Sequence, residues 1–433
     1  MTAAVQDRAA NLRVRHASKD LWTETATIFV ACFLVTFISN SGVRVGLADL
    51  LDVGSSVSGG IEPLAIAKSL ASSGKFGGPF ITPTGPTAHM GPLYPLYLAG
   101  VLLASKSAGI QAILLHLGAS LFHALELALL PLLSVAAFGE VEIGFIAGLL
   151  GILIPCYNFL PLWDSSLSGL AMIGFCFATT RVDVRSTSGF VGLGVLWGAD
   201  LLLNPALAIP TAIWALFAAR KRHWSARKIG VGFLAAVLTC LPWTIRNYRV
   251  LGGFVPIRDN FGLELQVSNN DYATPGILQN VESFVRFHPS KNAGQIQAIR
   301  KQGELRYGRD KLRQAEAWIE ANPRRFLALS IERVLQFWFP PVSPRRSPFI
   351  SIGIWLVTLF SVPGIILVLK QSFPYGKALL WMLALGPIPY YVVQADPRYR
   401  MPFLWMSLLL AGYAMHVVIR RFNSKVANPD VNT

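Results

Sequence analysis

The charged and hydrogen-bonding side chains of this sequence fall where they could act together on an anionic group. Two carboxylates, Glu62 and Asp164, each lie next to a hydrophobic run. The other polar residues predicted on the same side of a membrane are Arg44, His89, Tyr94, Arg246, Asn247, Arg398, Tyr399 and Arg400. A carboxylate can take the proton from an acceptor hydroxyl while guanidinium groups hold a departing phosphate. These residue types therefore favour a transfer reaction on an anionic lipid headgroup.

Glu62 belongs to the first polar loop, residues 41–92, which follows the first hydrophobic run. It precedes Leu64, Ala67 and Leu70, whose spacing predicts a short amphipathic helix. We expect the Glu62 carboxylate to be exposed at the membrane surface rather than buried. The rest of the loop is rich in proline and glycine and cannot form a spanning helix, so we expect it to fold on the bilayer surface as half of an active site.

Composition places these residues in a polytopic membrane protein. The chain has 433 residues, of which 53% are hydrophobic and only 14% are charged, which is far more apolar than a soluble protein. Its net charge of +15 comes from basic residues at the ends of hydrophobic runs, where they meet anionic headgroups. Nucleic-acid binding is therefore not predicted. The four cysteines lie inside hydrophobic runs without the spacing of a metal site or a disulfide framework.

The hydrophobic runs predict an all-α integral membrane fold with about ten transmembrane helices. The predicted spans are 21–40, 110–134, 143–161, 165–180, 187–203, 205–219, 229–245, 349–369, 377–394 and 401–419. The excess of Lys and Arg in the short loops predicts that both termini are cytoplasmic. Two further pieces, 93–105 and 326–339, are predicted to be helices lying at the membrane interface, because the first is too short to span and the second alternates charged and apolar residues.

These assignments divide the chain into five parts. Residues 1–20 form a cytoplasmic arm, and 21–245 form a transmembrane core that contains the catalytic first loop 41–92. Residues 246–347 form an extracytoplasmic segment that is predicted to be helical and to end in the interfacial helix; it is called here the outer segment. Residues 348–419 are the C-terminal transmembrane helices, and 420–433 are a cytoplasmic tail.

Several motifs resemble those of membrane glycosyltransferases that use a polyprenyl-phosphate sugar. They comprise Glu62 with the helix after it, Pro-Leu-Tyr-Pro at 92–95, and the stretches 197–205, 242–247 and 396–402. The chain is similar, nearly throughout and in order, to the GT-C superfamily near the protein O-mannosyltransferase and lipid A aminoarabinose transferase group, that is, glycosyltransferase family 39. The resemblance implies a polyprenyl-phosphate sugar donor, a lipid, glycan or protein acceptor, and inversion at the anomeric carbon.

The resemblance also assigns roles to individual residues. It makes Glu62 the acid of the first loop and Asp164 the carboxylate that completes a pair, since residues 59–61 supply no second acid. His89 lies one place before the position where the family has a basic or histidine residue. Arg398 and Arg400 match an Arg-Tyr-Arg element that contacts the lipid phosphate. No metal or other cofactor is implied, and the expected location is the bacterial inner (plasma) membrane, with the active site facing the periplasm or the cell exterior.

Other interpretations of the same residues stay open. Asp164 could be the N-cap of the helix that follows it, and Asp200 with Asn204, one helical turn later, indicates an internal polar pair. The polar residues could also line the path of a lipid or solute transporter. The missing acid beside Glu62 is equally compatible with an inactive GT-C relative that serves as an assembly subunit.

Overall fold

The computed structural model describes residues 3–52, 61–80, 82–157, 159–342 and 348–427. Within these residues the regular structure is helical, apart from two isolated β-bridges, so the predicted all-α class is confirmed. The predictions for Gly59 and Gly60, for the end of the outer segment at 343–347 and for the tail after 427 concern residues outside the described ranges.

The described residues up to 251 form ten helices. They are α1 (Ala3–Ser39), α2 (Ser41–Asp52), α3 (Glu62–Ser73), α4 (Leu93–Ala104), α5 (Ala108–Phe138), α6 (Val141–Leu153), α7 (Ser165–Arg181), α8 (Thr187–Leu203), α9 (Ala208–Lys221) and α10 (Ala226–Leu251). Helix α10 continues past the predicted span 229–245, so Arg246 and Asn247 lie on a helix rather than in a loop.

Nine more helices complete the described chain. They are α11 (Phe261–Ser268), α12 (Val281–Phe287), α13 (Ala293–Gln302), α14 (Glu304–Ala321), α15 (Pro323–Trp338), α16 (Pro348–Lys370), α17 (Pro374–Leu385), α18 (Ile388–Tyr391) and α19 (Leu404–Ala427). Two short 3-10 turns, Pro397–Tyr399 and Met401–Phe403, lead into α19. The outer segment is therefore built mainly from α11 to α15.

Within the residues that the structure describes, five helical stretches are long and apolar enough to cross a membrane. They are Leu21–Ser39, Ala108–Phe138, Ala226–Leu251, Pro348–Lys370 and Pro397–Asn423, and they coincide with five of the ten predicted spans. The other five predicted spans correspond to helices of 12 to 17 residues, which are shorter than the ~20 residues of a perpendicular span. The chain is a membrane protein, but the count of ten spans is not confirmed.

Two predicted spans, 143–161 and 377–394, are wrong as continuous helices. Helix α6 ends at Leu153, and Ile154 is extended because the proline that follows it at 155 disfavours helical geometry in the preceding residue. Helix α17 ends at Leu385, just before Gly386 and Pro387. Both interruptions leave non-helical backbone on the side of the bundle where the polar residues gather.

The helix after Glu62 forms as its pattern predicts. Pro63 lies in the first turn of α3, where its missing N–H costs nothing. Gly74 ends the helix in the left-handed conformation, with a φ of 67°, and donates its N–H to the carbonyl oxygen of Leu70 at 2.9 Å. Leu64 and Ala67 are fully buried, so this helix is packed onto the bundle rather than lying loose on a surface.

The core of the bundle surrounds the first half of α19. Every residue from Leu404 to Leu410 is buried, and these side chains pack against α5, α6 and α16. Helices α16 and α19 approach so closely that a methyl group on Gly364 would overlap the carbonyl oxygen of Leu410. A glycine is needed there because small residues let membrane helices pack backbone to backbone.

The first loop connects this bundle to the outer segment. Its Phe80 is buried among Leu263, Val267, Ile299 and Tyr307 of α11, α13 and α14. A polar loop and a polar helical segment therefore share one small apolar core, and burial of these side chains fixes their relative position.

The close contact of α16 with α19 predicts the effect of a single methyl group. Replacement of Gly364 by Ala should destabilise the protein by ~1–3 kcal/mol, because the helices must separate. Gly174 in α7 has open space where a Cβ would lie, so Gly174→Ala should instead be neutral or stabilise by ~0.5–1 kcal/mol. Thermal unfolding of the detergent-purified variants measures both, and equal melting temperatures would contradict the packing described here.

Candidate active site

A cavity lies where the first loop, the start of α7, the outer segment and the turns before α19 meet. Its volume is about 510 Å³, within the range of small-ligand sites. The polar residues that line it are Glu62, His89, Asp164, Ser165, Asn204, Arg258, Asn260, Glu264, His288, Tyr390, Gln394, Arg398 and Tyr399. Five of the predicted site residues, from three distant parts of the chain, are thus brought to one place.

Glu62 is buried in this cavity, with 7% of its surface exposed. The prediction of an exposed surface carboxylate is therefore wrong, because the outer segment covers the N-terminal end of α3. Burial raises the pKa of Glu62, while Arg398 and Arg258 act in the opposite direction. A carboxyl group with a raised pKa near compensating charges is suited to exchange a proton near neutral pH.

A second carboxyl group, Glu264 in the first turn of α11, faces the same space. Burial raises its pKa, and Arg258 and Arg398 again oppose that rise. Its charge contributes to the raised pKa of Glu62, so the two carboxyl groups interact. The sequence neighbours of Glu62 supply no second acid, and the outer segment provides one from 202 positions further along the chain (264 − 62).

Arg398 is held over an aromatic ring at the cavity wall. Its guanidinium carbon lies 3.7 Å from the ring centre of Trp163, and Nη2 donates to the hydroxyl of Tyr399 at 3.2 Å. Its Nε lies 3.9 Å from a carboxylate oxygen of Asp396. Stacking and hydrogen bonding fix the plane of the guanidinium, and an oriented guanidinium can bind a phosphate through two parallel hydrogen bonds.

Arg258 is the second cation of the cavity, and it lies between α10 and α11. Its Nε donates to the backbone carbonyl oxygen of His89 at 2.9 Å, which ties the outer segment to the first loop. Since Arg258 and Arg398 lower the pKa of the same two carboxyl groups, the four charges form one electrostatic unit.

Two histidines lie behind the acids and are neutral. The pKa of His288 falls to about 3 because the ring is buried, and burial with the nearby charge of Arg258 lowers the pKa of His89 well below its usual value. His89 packs edge-on against Phe80 at 5.2 Å between ring centres. Nε2 of His288 lies 4.0 Å from Oε1 of Glu62.

Asp164 occupies the N-cap position of α7 but does not cap it through its side chain. Its Oδ2 accepts a hydrogen bond from Ser168 Oγ at 3.0 Å and one from Asn204 Nδ2 at 3.1 Å. Asn204 therefore pairs with Asp164, and the predicted internal pair of Asn204 with Asp200 is wrong. The reason is that α8 ends at Leu203, so the Asn204 side chain is free to turn away from its own helix.

Arg246 and Asn247 do not line the cavity but hold the backbone around it. The two terminal nitrogens of Arg246 donate to the carbonyl oxygens of Thr87 and Phe76, both at 2.6 Å. Nδ2 of Asn247 donates to the carbonyl oxygen of Val255 at 3.2 Å. These side chains connect α10 to the first loop and to the non-helical segment, between α10 and α11, that carries Arg258.

Arg44 and Tyr94 also lie away from the cavity. Arg44, on α2, is placed over the ring of Phe37 at 4.9 Å. Tyr94 is buried and donates its hydroxyl to the carbonyl oxygen of Pro161 at 2.7 Å. The second interaction supports the turn before Asp164, so Tyr94 acts on the site through the backbone.

Arg400 is separated from its neighbour in the Arg-Tyr-Arg element. It is fully buried, it lies over the ring of Trp338 at 4.4 Å, and Nη2 donates to Ser407 Oγ at 2.5 Å. The 3-10 turns directed by Pro397 and Pro402 place Arg398 at the cavity and Arg400 inside the bundle.

Arg258, Glu264 and His288 were not predicted from the sequence. All three lie in the outer segment, where helical periodicity predicts helices but does not show which side chains the segment brings to the cavity. The one available signal was the position of Arg258 shortly after a hydrophobic run, on the same predicted side as Arg246. Within the described part of the chain, no group of three or more His, Cys, Asp or Glu side chains is arranged to hold a metal ion.

Comparison with known proteins gives a match of structure. No protein-family model and no curated protein matches the sequence. The crystal structure of the oligosaccharyltransferase of Archaeoglobus fulgidus in complex with Zn and sulfate superposes with a TM-score of 0.54 and 16% identity, covering 92% of this chain and 50% of that one. The apo form gives a TM-score of 0.51 and 16% identity, covering 93% and 51%. The chain shares this fold.

Both matches are 16% identical to this chain, so they show a likeness of fold. The chain spans about half the length of that protein. The GT-C resemblance and the protein O-mannosyltransferase-like assignment therefore both stay predictions.

Glu304 clamps the first loop against the outer segment next to the cavity. Its Oε1 accepts the N–H of Ala88 at 2.6 Å, and the N–H of Asp259 donates to the Ala88 carbonyl oxygen at 2.8 Å. Burial raises the pKa of Glu304 to about 7 and that of Asp259 to about 6. The clamp therefore holds a proton more tightly when the protein is folded than when it is unfolded.

This clamp predicts how stability changes with pH. Burial raises the pKa of Glu304 in the folded state from 4.5 to about 7. Its contribution to the stability of the folded state is therefore complete below pH 4.5 and is lost as the pH rises through 7. Glu304→Gln should reduce the fall in melting temperature between pH 5 and pH 8, leaving a smaller fall from groups such as Asp259. Glu316→Gln on the exposed face of the same helix is the control, and an identical slope in both variants would refute the assignment.

Proposed function

We propose that the protein is a membrane glycosyltransferase that moves a sugar from a polyprenyl-phosphate donor to an acceptor, with inversion at the anomeric carbon. The observation that carries this proposal is the arrangement of the cavity, where two carboxyl groups of raised pKa face two fixed guanidinium groups. Carboxylates suit the removal of a proton from an attacking hydroxyl, and guanidinium groups suit a departing phosphate.

The reaction uses these groups in one step. Glu62 takes the proton of the acceptor hydroxyl as its oxygen forms a bond to the anomeric carbon of the donor sugar. The bond from that carbon to the phosphate oxygen breaks, and the electron pair leaves with the polyprenyl phosphate. Arg398 and Arg258 stabilise the charge that develops on this oxygen. Attack opposite the leaving group inverts the anomeric configuration.

Asp164 and Asn204 are proposed to position the sugar or the acceptor. One carboxylate oxygen of Asp164 accepts hydrogen bonds from Ser168 and Asn204, which fixes the carboxylate. Asp164 lines the cavity, so its other oxygen can accept hydrogen bonds from a ligand. A fixed carboxylate can accept hydrogen bonds from sugar hydroxyls. Orientation of the reacting groups contributes to the rate by lowering the entropic cost of reaching the transition state.

Glu264 bears on whether the protein is active. An inactive assembly subunit was one interpretation of the missing acid beside Glu62, and Glu264 now provides an interacting carboxyl group at the same place. This supports an enzyme. We further propose that the cavity faces the periplasm or cell exterior of a bacterial inner membrane, that the acceptor is a lipid, glycan or protein, and that the family 39 group of the GT-C superfamily is the nearest in mechanism.

Loss of the Glu62 base should abolish turnover. Glu62→Gln keeps the size and the hydrogen-bonding capacity of the side chain but cannot accept a proton, so kcat should fall by ~100-fold or more, with little change in donor KM. The assay supplies purified protein in lipid nanodiscs with a radiolabelled polyprenyl-phosphate sugar and follows label transfer. Glu316→Gln, on the exposed face of α14, should behave like the wild type.

Full turnover in Glu62→Gln would remove Glu62 from the chemistry. Passage of the labelled lipid or sugar across liposomes, with no covalent change in it, would instead establish a transporter.

Replacement of Arg398 or Arg258 by lysine should weaken the stabilisation of the departing phosphate. Lysine keeps the charge but loses the planar fork, and at position 398 it also loses the stack on Trp163. We expect kcat/KM for the donor to fall about ten-fold or more in Arg398→Lys and in Arg258→Lys. Arg313→Lys, at a side chain that is 75% exposed, is the matched control. An unchanged kcat/KM in both cavity variants would exclude the proposed phosphate site.

A further inference from the structure

His288 lies at the back of the cavity, directly after α12. Its ring is 1% exposed, stacks on Phe284 with 4.1 Å between ring centres, and meets the edge of Phe80 at 5.8 Å. Two aromatic side chains from different parts of the chain therefore fix the ring plane. Nothing in the sequence pattern marked this histidine as functional.

The backbone fixes the tautomer of His288. Its Nδ1 lies 3.1 Å from the N–H of Ser290 and accepts that hydrogen bond. A neutral imidazole has one acceptor nitrogen and one donor nitrogen, so the proton resides on Nε2. Nε2 is the atom that lies 4.0 Å from Oε1 of Glu62.

We propose that His288 is a positioning residue for Glu62, whose carboxylate it orients through a hydrogen bond from Nε2–H. The distance in this structure is about 1 Å longer than a hydrogen bond, and a small rotation of the Glu62 side chain closes the gap when the carboxyl group is ionised, with or without substrate. The proposal rests on the proposed function. The hydrogen bond from His288 engages one carboxylate oxygen of Glu62 and leaves the other oxygen to take the proton from the acceptor hydroxyl.

The charges around the pair define what His288 adds. Glu62 also faces the guanidinium groups of Arg398 and Arg258 and the carboxyl group of Glu264, and His288 faces His89. Burial lowers the pKa of His288 to about 3, so the imidazole that accepts the Ser290 N–H is neutral near pH 7. It therefore donates a hydrogen bond to the carboxylate without adding a positive charge that would compete with the arginines for the leaving phosphate.

Three substitutions separate this hydrogen bond from ring packing. His288→Phe keeps a flat ring between Phe284 and Phe80 but removes both nitrogens. His288→Gln brings an amide N–H to the place of Nε2, and His288→Asn reaches only the place of Nδ1. A positioning role requires that the glutamine variant retains function and that the phenylalanine and asparagine variants lose it.

The first measurement is infrared titration of Glu62, which needs no substrate. The protonated-carboxyl band of Glu62 is assigned by its loss in Glu62→Gln, and its intensity is followed against pH. Loss of a donor to the carboxylate disfavours the ionised form, so His288→Phe and His288→Asn should raise the pKa of Glu62 by about one. His288→Gln should titrate like the wild type.

The second measurement is the pH profile of sugar transfer. In His288→Phe, kcat should fall about ten-fold and its acid limb should move to higher pH, with donor KM unchanged, and His288→Gln should restore both. If the Glu62 titration is the same in the wild type, His288→Phe and His288→Asn, the proposal is overturned. If the titration of Glu62 shifts in His288→Phe and His288→Asn but the wild-type protein transfers no sugar, the His288–Glu62 pair is sustained and the glycosyltransferase function is rejected instead.

Discussion

The cavity depends on the balance between buried carboxyl groups and the guanidinium groups that face them. Burial of Glu62 and Glu264 disfavours their charged forms, and a carboxylate buried without a partner would be neutralised. Arg258 and Arg398 offset that cost only because each is held in place, one by the backbone of His89 and the other by Trp163. The charged groups that line the cavity are therefore held in fixed orientations, and such an arrangement strengthens electrostatic interactions with a bound charged group.

This balance requires that separate parts of the chain be clamped to one another. The first loop supplies Glu62, and the outer segment supplies Arg258 and Glu264. Phe80 anchors the loop in the apolar core of the outer segment, and Arg246 binds two of the loop's carbonyl groups. A Pro- and Gly-rich loop has few internal hydrogen bonds, so these clamps supply the order that its own backbone lacks.

In the Arg-Tyr-Arg element, two arginines that are close in sequence lie in different environments. Arg398 and Arg400 are two positions apart, yet one lines the cavity and the other is buried beside Trp338 and Ser407. Conversely, Arg246, Asn247 and Tyr94 were predicted to bind substrate, and they bind backbone carbonyl groups near the site. In both cases the residue type was informative, but the direction of the side chain was set by turns and helix ends.

The sequence by itself determined the membrane class and most helix positions, because hydrophobic periodicity and charge are local properties of the chain. It also predicted Glu62 and Asp164 as site residues, and both line the cavity. It also indicated that distant polar residues lie on one side. It could not determine that Glu62 is covered, that Asn204 turns to Asp164, or that Arg258, Glu264 and His288 complete the cavity. Those outcomes depend on contacts between residues that are hundreds of positions apart, and only the packing of the outer segment onto the first loop brings them together.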